Sequence, residues 1–230
     1  MGTFQTFIVA FPALLFAMIA HEYAHGYAAL KQGDPTAYQL GRLTWNPIKH
    51  IDPFMSILLP LVMVLAHGPI IGGAKPVPVN PRNYRKFKRG DIIVSLAGVA
   101  TNLALAIVSV PVVVLLGFIV RLVPAVSEVI AILQAMVLWG ILINLELLMF
   151  NLLPIPPLDG SHVLKYLLPP AWALEYQKIG QYGIIILIAL LYFGVGLLRA
   201  WMYPAIFGFT HLVQPTIQFI VPSQFLPGAS

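Results

Sequence analysis

The chain contains no cysteine. Disulfides and thiolate metal sites are excluded at once, and a metal would have to be held by His, Asp or Glu. Charge is also scarce. Only 9% of the 230 residues are charged, 8 acidic and 13 basic, while 59% are hydrophobic and the mean hydropathy is +0.88. An ordinary soluble domain carries about 25% charge. This chain cannot coat a water-facing globule, so composition points to a membrane protein. The net charge of +5 lies beside apolar stretches. It reads as loop bias rather than a nucleic-acid footprint. The length allows one unit of several helices, with no appended soluble domain of typical size. There is no internal repeat.

A spanning helix needs about 20 mostly apolar residues. Residues 3–20 carry no charge, and the helix should continue to about Leu30. This start lacks a basic region and runs straight into a polar cluster, so it reads as a retained helix rather than a signal peptide. Residues 92–120 and 179–198 are uncharged, and 129–153 is apolar except for Gln134, Asn144, Glu146 and Asn151. The fold expected is therefore all-α and polytopic, with four transmembrane helices. The stretch 54–66 is short and contains Pro60, which suits a re-entrant or interfacial element. Residues 205–221 carry Pro215, His211 and Gln214 and are expected to form a peripheral or half-inserted tail. Residues 70–80 hold alternating prolines and valines, as a short edge strand on the cytoplasmic side would.

Basic residues set the expected orientation. If 54–66 does not cross, eleven of the thirteen Lys and Arg residues fall on one face, leaving Arg121 and Arg199 opposite. The positive-inside rule then puts the N-terminus outside and the loop 31–90 in the cytoplasm. A prokaryotic plasma membrane fits this layout.

The polar cluster is "HEYAH", His21-Glu22-Tyr23-Ala24-His25. Residues i and i+4 of a helix share a face, so the two imidazoles point the same way. They can fill two corners of a tetrahedral zinc site, with Glu22 placed to act as base toward a water. A catalytic zinc usually takes three protein ligands. The third should be an Asp, Glu or His at the same membrane face. The span 129–153 ends at that face and runs into "NLLPIPPLDG", residues 151–160. Pro154, Pro156 and Pro157 break the helix, and Gly160 permits a close backbone approach. Asp159 is thereby presented by unwound chain at membrane depth, which makes it the candidate.

Together these two motifs resemble the site-2 protease family of intramembrane zinc metalloproteases. That family pairs HExxH with a downstream NxxPxxxxDG, here Asn151, Pro154, Asp159 and Gly160. The resemblance covers about residues 1–165, the expected catalytic core. Residues 166–230 would add a C-terminal transmembrane helix and tail. It implies one zinc ion on His21, His25 and Asp159, and Glu22 as catalytic base. Asn151 would hold the substrate carbonyl or the oxyanion. The substrate would be a membrane protein whose transmembrane segment unwinds, with "PIIGGAKPVP" offering an edge on which it could pair. The chain departs from the family at Ala97-Gly98-Val99, where Ala-Gly-Pro is frequent, and no segment is long enough for a PDZ or CBS domain. Two other functions compete with a peptidase: a zinc-binding transporter and a non-catalytic scaffold. The single break near 154–157 and the absence of repeated halves weigh against transport.

Overall fold

The computed structural model describes residues 3–65 and 73–218. Helix α1 (Thr3–Gln32) is followed by the short α2 (Thr36–Gln39). A π-helical turn, Pro53–Leu58, runs into α3 (Leu59–Leu65). Its entry is capped by Asp52, whose carboxylate accepts from the Phe54 and Met55 amides. An irregular strap, 73–80, leads to α4 (Phe87–Leu122). Then come α5 (Ser127–Asn151), α6 (Asp159–Leu164), α7 (Pro170–Ile179), α8 (Gly183–Phe193) and α9 (Val195–Gln218).

Three helices pack on one another and form the frame: α1, α4 and α5. Ala10, Leu14, Ala17 and Met18 of α1 bury against Ile143 and Leu147 of α5. Val99, Ala106 and Val113 of α4 bury against Leu138, Ile141, Leu145 and Leu148. The alanines let backbones approach closely, as membrane helix interfaces require. These three helices are also the ones long and apolar enough to cross a membrane. Their outer faces expose Ile107, Val108, Leu115 and Phe118 on α4, and Ile132 and Leu133 on α5. Such apolar surface suits lipid, not water. The protein is an integral membrane protein.

The Arg85 amide donates to the Gln32 carbonyl at 2.8 Å. The start of α4 therefore lies beside the end of α1, and the two helices run antiparallel.

Some expectations need correction. The run 179–198 is not one straight helix. Gly194 separates α8 from α9, and Pro170–Tyr182 meets Ile185–Phe193 at 76°. A fourth span exists only if that bent pair is counted as one. The tail is helical, and its Ile206, Phe209 and Val213 pack part-buried on the frame. Helix α9 runs unbroken to Gln218 through Pro204 and Pro215, and Leu198 and Met202 bury against Phe150, Leu153 and Leu158. Neighbouring helices make such prolines tolerable. Residues 219–221 lie outside the described residues. The expected β element is absent among the described residues, where no strand forms. Residues 73–80 are irregular and have no ladder partner among the described residues. Lys75 N bonds the His50 carbonyl, and Gly73 N bonds that of Met55. Residues 70–72 lie outside the described residues. The described apolar helix within 54–66, Pro53–Met63, is shorter than a membrane span.

Candidate metal centre

The last turns of α1 carry His21 and His25 on the face turned toward α4. Each ring is held through Nδ1. His21 Nδ1 lies 2.5 Å from Asn102 Oδ1, and His25 Nδ1 lies 2.7 Å from the Val94 carbonyl oxygen. A carbonyl oxygen only accepts, so His25 Nδ1 is its N–H. Both Nε2 atoms then turn into the space between α1 and α6.

One stripe of α4 makes this possible. Val94, Gly98 and Asn102 follow at i, i+4 and i+8, and so share a face. A Cβ on Gly98 would lie 2.6 Å from Nε2 of both imidazoles. Only glycine lets α4 come this near the rings.

Asp159 reaches the same space from the other side. Helix α5 stops at Asn151, and the proline-rich loop turns the chain so that Asp159 opens α6. Gly160 is packed on the Leu152 carbonyl, where any Cβ would clash. The close approach expected at this glycine is present. Helix α6 is pinned to α4 through buried Asp91. Lys165 Nζ lies 2.5 Å from its carboxylate, the Tyr166 hydroxyl donates at 2.9 Å, and His162 Nδ1 lies at 3.2 Å.

The result is a tight triangle. The two Nε2 atoms are 2.9 Å apart, and Asp159 Oδ2 is 3.2 Å from His21 Nε2 and 3.3 Å from His25 Nε2. Asp159 Oδ2 is buried without a hydrogen-bond donor. With Nδ1 carrying each ring's proton, three lone-pair atoms face one point. Such a convergence suits a cation. Ligands on a tetrahedral zinc with bonds of about 2.0–2.1 Å lie about 3.3 Å apart, so this donor set fits the ion. Among the described residues, this is the one group of three such side chains whose ligand atoms all fall within 4.8 Å of one another.

Glu22 follows His21 on α1 and accepts from the Val77 amide through Oε2 at 2.7 Å. The strap 73–80 is thus tied to it. Asn151 sits at the end of α5, where its Nδ2 donates to the Leu147 carbonyl at 3.0 Å. It is outside the triangle. His162, which its spacing from Asp159 would allow as support for the metal ligands, turns to Asp91 instead.

A profile of the peptidase family M50 matches residues 7–193. The chain belongs to that family. The M50 chain is 39% identical over 189 residues to the candidate zinc metalloprotease YwhC of Bacillus subtilis, covering 82% of each chain. It is 32% identical over 205 residues to the candidate zinc metalloprotease Rip2 of Mycolicibacterium smegmatis, covering 88% of this chain and 73% of that one. The Rip2 of Mycobacterium tuberculosis is 29% identical over 201 residues. No solved structure matches the chain significantly.

What sequence reasoning misses in this M50 chain is α4, which reads only as a span. Gly98 contributes by lacking a side chain and Val94 through its backbone, so neither has a chemical signal. Asn102 has one, an amide inside an apolar run. Sequence alone offers Glu146 as a partner for it and gives no reason to choose His21.

Proposed function

We propose that the chain is an intramembrane zinc metalloprotease in which His21, His25 and Asp159 hold the ion, Glu22 is the catalytic base and Asn151 steadies the substrate carbonyl. The observation that carries this reading is the triangle of Nε2, Nε2 and Oδ2 atoms with a buried carboxylate oxygen that has no donor. A bound zinc supplies Lewis acidity toward a peptide carbonyl and toward water.

The residues do the rest. The Glu22 carboxylate takes the proton of the attacking water and passes it to the departing amine. Asn151 has two amide protons, and Leu147 takes one, which leaves the other for the substrate carbonyl. The strap 73–80 lies beside Glu22 through the Val77 amide, where an unwound peptide could pair with it. A helical substrate would hide its carbonyls, so unwinding must come first.

The site also has a suitable depth. Gly98 is nine residues beyond Arg89 along α4, which is about 13 Å at 1.5 Å per residue. Arg85, Lys86, Lys88 and Arg89 cluster at that end. This supports an active site a short way inside the cytoplasmic face, an outside N-terminus and a prokaryotic plasma membrane. Residues 1–165 form the catalytic unit in this reading, and a membrane protein is the substrate.

The test is zinc content and peptide hydrolysis by detergent-purified wild type and Asp159→Ala. One zinc per chain and turnover in the wild type, both lost in the variant, are expected. Full zinc retention by Asp159→Ala would remove Asp159 from the ligand set.

A further inference from the structure

His21 and His25 are oriented by different means. His25 is keyed by the Val94 backbone carbonyl. His21 is keyed by a side chain, and that side chain has its own support. Asn102 Nδ2 donates to Asn144 Oδ1 at 2.8 Å, and Asn144 Nδ2 donates to the Gly140 carbonyl at 2.8 Å. Asn102 is fully buried, and Asn144 and His21 nearly so.

The chain of bonds has one permitted direction. The Gly140 carbonyl can only accept, so Asn144 must turn its NH2 group to it. That leaves the Asn144 oxygen to accept from Asn102. The Asn102 NH2 is then committed, and its oxygen faces His21. Nδ1 of His21 must carry the proton. Nε2 is left as a bare lone pair aimed at Asp159 and His25. Reversing any one amide would set two donors or two acceptors against each other at a buried position, which is costly.

We infer that Asn102 and Asn144 are positioning residues that fix the ring orientation and tautomer of His21 for metal binding, in a relay running from the Gly140 carbonyl of α5 through α4 to α1. The inference rests on the reading of His21 as a zinc ligand. Outer-shell partners of this type change metal affinity by about 10–100-fold. The relay also makes the affinity depend on the packing of all three frame helices, since each supplies one member.

The experiment measures zinc affinity by competition with a chromophoric chelator, using the full chain in detergent. The variants are Asn102→Leu, Asn102→Asp, Asn144→Leu and His21→Ala, with thermal melting of the metal-free proteins as the fold check. Asn102→Leu should weaken zinc by about 10–100-fold. Asn102→Asp is combined with Asn144→Leu, since alone it would set a carboxylate against Asn144 Oδ1; the pair keeps an oxygen for His21 and should bind zinc more tightly than Asn102→Leu. Asn144→Leu frees the Asn102 amide to turn and should give a smaller loss. If Asn102→Leu does not fold, Asn102→Ala replaces it.

Unchanged affinity in folded Asn102→Leu or Asn102→Ala overturns the inference, and so does zinc binding by the Asn102→Asp, Asn144→Leu pair that is no tighter than that of Asn102→Leu. Unchanged affinity in Asn144→Leu overturns the relay beyond Asn102. Equal zinc binding by wild type and His21→Ala would instead sink the ligand assignment itself.

Discussion

Lys165 Nζ lies 2.5 Å from the carboxylate of Asp91, across the seam between α6 and the first turns of α4. Asp91 is buried, and Tyr166 donates to it as well. Removing one partner of a buried ion pair costs about 3–5 kcal/mol. Asp91→Ala should lower the melting temperature. It should also weaken zinc binding, because Asp159 rides on the helix that this pair anchors. A calorimetric scan with and without zinc separates the two effects.

Glu22→Gln should keep zinc and lose turnover. The amide can still accept from Val77, so the strap stays in place. A positioned general base contributes about 10²–10⁴-fold, and peptide hydrolysis should fall by that much at full metal occupancy. Wild-type turnover in this variant would remove Glu22 from the mechanism.

Gly98→Ala should abolish zinc binding, because the new methyl would lie 2.6 Å from both Nε2 atoms. Gly196→Ala is the matched control. It sits in a helix where an added Cβ would meet nothing within 4 Å, and it should be neutral or stabilising by about 0.5–1 kcal/mol. Zinc titration of both variants decides the matter.

Asp34 gives a pH prediction outside the spans. Burial pushes its carboxyl up, but the Asn80 amide, the Thr36 hydroxyl and amide, and the Asn83 amide outweigh that and hold it below the usual aspartate range. The unfolded chain therefore takes up this proton more readily than the folded one. Its contribution is complete above the ordinary aspartate pKa of about 3.9 and fades as pH falls through the lower folded value. The melting temperature of the wild type should exceed that of Asp34→Asn at about pH 6, and the gap should shrink toward about pH 3. A gap that is constant with pH would show that the carboxylate charge plays no part.

The triad was legible because its chemistry needs fixed spacing. His21 and His25 are one helical turn apart, and Asp159 follows a run of prolines that could not stay helical. The frame helices were legible from uncharged runs. The α9 packing was not, because Pro215 read as a break, while Leu198, Met202, Ile206, Phe209 and Val213 keep a helical three-and-four spacing that meets α4, α5 and the loop after α5. The strap misled in the opposite way. Its alternating valines and prolines fit an edge strand, but Val77 spends its amide on Glu22. A side chain took the place of a neighbouring strand, and local pattern carries no signal of that.

The order of the proposed ligands along the chain has a consequence for biosynthesis. His21, Glu22 and His25 leave the ribosome together on α1, and Asp159 emerges 134 residues after His25. A nascent chain halted anywhere between them holds a base and two imidazoles but no carboxylate to complete the set. Closing so long a loop is entropically unfavourable until α4 and α5 are inserted and packed. With these proposed ligands, hydrolytic competence therefore arrives late in insertion, after the frame helices have packed.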